Sequence, residues 1–299
     1  MDFSIKIYQS LLKTYLEQGY SFQTFQKYLK NTKSRTIILR HDVDKLPGNT
    51  LRFAQIEHEL SIKGTYYFRI VPKSFEPKII EKIASLGHEI GYHYEDIDLA
   101  YQQIKNSKLV TRNTEHIFNL AIELFEKHLE QFRKYYQVKT ICMHGSPLSK
   151  FDNKLLWKYY SYKDFGIIGE PYFDVDFDEM LYLTDTGRRW NGGSVSVRDK
   201  AEGSRLKAKG IDSFEDWVVK LKVGSLMSMT EKGIKFQNRY NFRSTNDIIR
   251  AAENGELPER MMMTFHPQRW MDRAVPWVKE LVWQNVKNVG KWGLIRIRQ

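Results

Sequence analysis

From residue 35 to residue 147 the chain alternates between short runs that suit a β-strand and longer runs with helical spacing. "RTIILRHDVD" (35–44) reads as a buried strand. "GNTLRFAQIEHELSIKG" (48–64) has helical spacing, with Leu51, Ala54 and Ile56 among its inward residues, and closes on Gly64. "TYYFRIV" is rich in β-formers, "EPKIIEKIASLG" is a short helix ending at Gly87, and "HEIGYHYE" is a strand again. "TRNTEHIFNLAIELFEKHLEQFRKYY" (111–136) is a long amphipathic helix, and "KTICMHGSP" (139–147) is a further strand. Alternation of this kind predicts an α/β fold with parallel strands covered by helices.

The second half is less regular. "FGIIGEPYF", "EMLYLTDTG" and "SVSVRD" read as strands, and "SFEDWVVKLK" and "STNDIIRAAENG" as helices. The latter is capped by Ser244 or Thr245 and closed by Gly255. "RMMMTFHPQRW" is a last strand. The first 34 residues predict an N-terminal helical extension, residues 35–299 the main domain, and 200–240 an insertion or mobile loop.

Composition narrows the function classes. The 299 residues are 41% hydrophobic and 14% aromatic, enough for a substantial core, so a disordered chain is excluded. No apolar run reaches the roughly 18 residues of a membrane span. The start, "MDFSIKIYQSLLKTYLEQGY", reads as an amphipathic helix without the apolar centre of a signal peptide. Together with the single cysteine, Cys142, this predicts a cytoplasmic protein. The net charge is +11, but the basic residues are scattered, the densest stretch being "KNVGKWGLIRIRQ". No nucleic-acid module is recognisable, so no nucleic-acid partner is expected. An anionic substrate or lipid head groups would suit the charge better, and a merely soluble basic surface better still.

In parallel α/β folds, sites form at the C-terminal ends of strands. Four strands here end in polar clusters: His41, Asp42 and Asp44; His93 with Glu95; His144, Gly145, Ser146 and Pro147; and His266, Pro267, Gln268 and Arg269. "TDTGRRW" adds Asp185, Arg188, Arg189 and Trp190 after another strand. Two acids at the end of a buried strand are paired, share a cation, or stand in water, because unpaired buried charge is costly. His58, His116 and His128 read as surface residues, His88 as structural, Cys142 as an inert buried thiol, and Met261 to Met263 as core. Trp157, Trp217, Trp277 and Trp283 read as packing residues. Asp and His ligands suit a divalent metal such as zinc with an open position. A second Asp could then act as base, and a histidine could protonate a leaving amine.

These motifs resemble the polysaccharide deacetylase family, also called the NodB homology domain or carbohydrate esterase family four. "RHDVD" is similar to its first motif, "LGHEIGYHYED" to its second and "MTFHPQRW" to its last, over roughly residues 35–270. The resemblance implies a distorted (β/α) barrel with fewer than eight strands. It implies Asp42 as catalytic base, Asp44 and His93 as metal ligands and His266 as general acid. Zinc is the expected ion, with cobalt, nickel or manganese as substitutes. Two positions depart from the family pattern: Ile97 stands where the second motif carries another His, and "HGSP" stands where the third motif carries an Arg. "TDTGRRW" is loosely similar to the motif that orients the catalytic Asp. His144 is therefore the favoured third ligand and Glu95 the alternative. Asp185 with Arg188 or Arg189 is expected to form a supporting charge pair or a surface salt bridge, and Asp185, Arg188, Arg189, Trp190 and Arg269 to stand behind the site or to bind substrate. The reading that follows is a metal-dependent hydrolase removing an acetyl group from an N-acetylated sugar. Hydrolysis of another small amide or a cyclic ureide is the alternative within enzymes. A sugar-binding protein without turnover is the alternative outside them.

Overall fold

The computed structural model describes residues 1–107, 114–145, 149, 151–190 and 229–298, with side chains as far as residue 286. The elements are α1 (Ile5–Glu17), β1 (Ser21–Gln23), α2 (Phe25–Lys30), β2 (Thr36–Val43), α3 (Pro47–Glu59), β3 (Thr65–Phe68), α4 (Pro77–Ser85) and β4 (Glu89–Tyr94). There follow α5 (Asp96–Asn106), α6 (Thr114–Arg133), β5 (Ile141–Met143), α7 (Pro171–Asp174) and β6 (Leu181–Thr184). Past residue 228 come α8 (Glu231–Asn238), α9 (Thr245–Glu253), β7 (Arg260–Phe265) and α10 (Ala274–Arg298).

The strands form one sheet in the order β5-β4-β3-β2-β7-β6, with β1 beside the first half of β2, and every pairing is parallel. The sheet curls into a partial β/α barrel. Beyond β5 a parallel bridge joins Thr140 to Gly169. β2 lies at the centre. Its Thr36–His41 run registers with Arg260–Phe265 of β7, while Arg40–Val43 registers with Thr65–Phe68 of β3. All eight residues of β2 are buried, the polar Arg40, His41 and Asp42 along with the apolar Ile37 to Leu39, as a central strand covered on both faces requires.

Two glycines in "LGHEIG" have separate reasons. Gly87 closes α4 at φ +88°, the left-handed conformation that a side chain disfavours. Gly91 lies in β4 where any Cβ would overlap the Tyr67 ring.

Several elements differ from the sequence reading. The N-terminal segment contributes a strand as well as helices, and Tyr8, Leu11, Leu12 and Tyr15 of α1 are fully buried in the main core. β1 has only three residues, too few for a periodicity to show. α5 was not expected; its apolar positions follow directly on a strand. "FGIIGEPYF" yields only the bridge at Gly169, because Glu170 caps a short helix that opens on Pro171. Ser244, not Thr245, caps α9, in a reciprocal arrangement with Asp247. "SVSVRD", "SFEDWVVKLK" and most of 200–240 lie outside the described residues; α8 is the described part of that stretch.

Candidate metal centre

Alternation along β2 fixes which side chains meet. Arg40 and Asp42 point to the same face, and Asp44 follows just past the strand end. Arg40 donates to both Asp42 oxygens, Nε to Oδ1 at 2.8 Å and Nη2 to Oδ2 at 2.7 Å. The Arg40 guanidinium also lies over the Tyr172 ring, 5.3 Å from its centroid. Burial would push the Asp42 carboxyl up, but Arg40 and His93 more than offset it and hold it at about 2. The odd-numbered residues face the helices. His41 stacks on Tyr66 at 4.2 Å and faces Glu57, which also accepts from the hydroxyls of Tyr8 and Tyr66. His88 sits in the same cluster against Ala54 O and Gly64 N, so both residues are structural.

At the mouth, β4 and β5 supply two imidazoles. His93 Nδ1 lies 2.9 Å from the Cys142 carbonyl, an acceptor, so Nδ1 carries the proton and the Nε2 lone pair faces inward. Burial depresses the His93 imidazole to about 3, which keeps it neutral at pH 7. His144 Nδ1 lies 3.3 Å from His93 Nε2 and 3.3 Å from Asp44 Oδ1, and His93 Nε2 lies 3.9 Å from Asp44 Oδ1. Burial raises the Asp44 carboxyl, and His144, His266 and His93 together bring it well below the usual carboxylate range.

The donor set fits a cation. Tetrahedral ligands about 2.0–2.1 Å from zinc are spaced at edges of about 3.3–3.4 Å. Two of the three edges here are 3.3 Å and the third is 3.9 Å. Asp44 Oδ1 is buried and has no hydrogen-bond donor, while Gln268 Nε2 donates to the other oxygen at 3.1 Å. Asp42, His93 and Cys142 form a second, deeper group of possible ligands. Both oxygens of Asp42 are already taken by Arg40, and burial pushes the Cys142 thiol well up, so the outer group suits a cation better.

Glu95 lies at the same mouth, but Arg69 binds both of its oxygens, at 2.8 and 2.7 Å. Its Oε2 stands 3.9 Å from His144 Nε2, on the far side of that ring from Asp44. Ile97 is fully buried in α5 and offers no ligand.

His266 ends β7. Its Nδ1 meets Asp185 Oδ1 at 2.5 Å, its backbone N–H donates to Asp185 Oδ2 at 2.9 Å, and its Nε2 lies 4.0 Å from Asp44 Oδ2. Asp185 also accepts from Trp270 Nε1 at 2.6 Å and Arg269 Nη1 at 3.3 Å. Burial raises the Asp185 carboxyl; His266 and Arg269 outweigh it and hold it below its ordinary value.

The structure changes the cation assigned to Asp185. Its side chain is paired with Arg269, whereas Arg188 turns away, with φ +58° and its guanidinium over the rings of Trp277 and Phe3. Arg189 is exposed. Trp190 is buried against Phe265 and Trp270 with its indole N–H on Thr245 Oγ1, so it packs rather than lines the mouth. The sequence reading missed Arg40 and Arg69, and placed Gln268 in a strand-end cluster without giving it a partner. Arg40 was findable as a charge two residues before Asp42 on a buried strand, and Arg69 as the residue closing β3.

No protein-family model matches the chain, and no curated protein matches it either.

Proposed function

We propose that this chain is a metal-dependent amide hydrolase of the NodB type that removes an acetyl group from an N-acetylated sugar or sugar conjugate. One observation carries the reading: Asp44 Oδ1, His93 Nε2 and His144 Nδ1 converge at near-tetrahedral spacing on the C-terminal rim of a parallel sheet. Those three residues would hold the ion, zinc most readily, and such an ion supplies Lewis acidity to a water and to an acyl oxygen.

The chain's own residues divide the remaining work. His93 is kept neutral and fixed in one tautomer by burial and by the Cys142 carbonyl. Asp42 stays ionised beside His93, with Oδ2 3.7 Å from Nε2, and is assigned to accept the proton of the attacking water. His266 presents Nε2 to the rim while Asp185 orients the ring, and it is assigned to protonate the leaving amine. The mouth is open to substrate at Asp44, whose side chain is 21% exposed.

A sugar-binding protein without turnover is the second reading, and one observation favours it. Arg40 occupies both Asp42 oxygens and holds the carboxyl at about 2, which weakens it as a base. Metal stoichiometry combined with acetate release from N-acetylated sugars separates the two. Bound metal with acetate release supports the deacetylase. Metal without turnover on any amide supports the binding protein, and turnover confined to cyclic ureides assigns a different amide. Failure to bind zinc, cobalt, nickel or manganese overturns the metal-hydrolase reading.

A further inference from the structure

Helix α10 is built inside out for a helix exposed to water. Its inward stripe is Trp277, Glu280, Leu281 and Gln284, of which Glu280 and Gln284 are buried and bonded to each other at 2.6 Å. Its outward stripe is apolar: Val275 is 79% exposed, Val278 50%, Val282 58% and Val286 56%, with Trp283 beside them at 52%. Those valines recur every three or four residues, so they form one continuous line along the helix. An amphipathic helix of a water-soluble domain points its apolar face to the core.

The charge on the same helix is one-sided. Lys279 is exposed on the outer face, and the one acid, Glu280, is turned inward with Lys45 at 4.0 Å. The rest of the helix sequence, "KNVGKWGLIRIR", carries four basic residues and no acid. The 25 residues are about 37 Å long at about 1.5 Å each. A second copy of this face would bring together two helices of like charge. An apolar line with an exposed lysine beside it, on a helix whose remaining sequence is basic, matches a helix lying in an anionic bilayer surface.

We propose that α10 is a membrane-surface element, seating its Val275–Val278–Val282–Val286 line in the head-group boundary of an anionic bilayer with Lys279 on the lipid phosphates. The helix does not cross the membrane; no described helix is long and apolar enough for that. Docking would hold the candidate site close to the lipid. The first turns of α10 approach the residue next to Asp44: Glu280 Oε2 lies 4.0 Å from Lys45 Nζ, and α10 begins eight residues after His266.

The test is flotation of the full chain with vesicles of phosphatidylcholine mixed with phosphatidylglycerol, against phosphatidylcholine alone. Wild type is expected to float with the anionic vesicles. It should detach when salt rises from about 0.1 M to 1 M, which shortens the Debye length from about 10 Å to 3 Å. Val278→Asp with Val282→Asp should lower the partition coefficient by on the order of 10²-fold, from the apolar area kept out of lipid. Lys279→Glu should lower it by on the order of 10-fold. These positions are at least half exposed or on the outer face, and unchanged circular dichroism and metal content show that the variants fold. No flotation of wild type overturns the proposal, as does equal flotation of the valine variant. Sedimentation without vesicles covers the remaining occupant: a wild-type dimer that the valine changes dissolve assigns the face to a second copy.

Discussion

Replacing Arg40 by Met tests the electrostatics of the buried strand directly. The perturbation removes the one cation that bonds both Asp42 oxygens and leaves a carboxylate whose side chain is 6% exposed. In the wild type the carboxyl is held at about 2 against its ordinary 3.8. At about 1.4 kcal/mol per pH unit this places about 2 kcal/mol of stability in the ionised form. That stability is present above the unfolded value and is lost as pH falls through about 2. Without Arg40, burial becomes the leading influence and carries the carboxyl above 3.8, so the sign reverses: the variant loses stability as pH rises through the raised value. Stranding one member of a buried pair costs about 3–5 kcal/mol near neutrality. Urea denaturation of chelator-treated protein across about pH 4 to pH 7.5 reads this out, and the wild-type-minus-variant difference should widen with pH. Arg40→Met with Asp42→Leu should recover most of the loss, because an apolar pair of similar volume is tolerated where a lone charge is not. A difference below about 1 kcal/mol that is flat with pH would refute the reasoning and place Asp42 in contact with water.

Other outcomes follow from the same coordinates. Asp44→Asn and His144→Ala should each lose bound metal by equilibrium dialysis, while Glu95→Gln keeps it, since Glu95 is held by Arg69. His266→Ala should retain metal and lose about 10²–10⁴ in rate on any amide substrate found. Asp185→Asn should lower kcat with KM little changed, because the carboxylate that orients the His266 ring would be lost. Gly91→Ala should destabilise by about 1–3 kcal/mol in thermal unfolding, as a Cβ there meets the Tyr67 ring.

The strand–helix alternation of the first half was legible because each run was long enough to show its period, and β2, β3, β4, α3, α4 and α6 lie where that period places them. Asp42, Asp44, His93, His144 and His266 could be picked out because each interrupts or ends a run of β-forming residues. Their convergence needed the sheet order, which sequence spacing does not contain. Arg40 was overlooked because it sits inside an apolar strand, where it reads as an interruption until its partner is seen. Trp190 misled in the opposite direction: it follows a polar cluster in sequence, yet the left-handed turn at Gly187 and Arg188 swings it back into the core. β1 and α7 are too short for any pattern, and their existence rests on the neighbours they meet.

The position of β2 between β3 and β7 also sets a clock for synthesis. β3 is made directly after α3, but the strand that covers the other side of β2 emerges about 220 residues later, a wait of about 10–45 s at about 5–20 residues per second. During that interval the backbone groups of Thr36 to His41 have no strand to pair with on that side, and Met261, Met262 and Met263 are not yet available to cover their neighbours. The open side of β2 is therefore covered only when the last strand is made. A nascent chain of this topology stands exposed to edge-on association for most of its time on the ribosome. Slower translation past β2 lengthens that exposure, and a holding chaperone shortens its consequences.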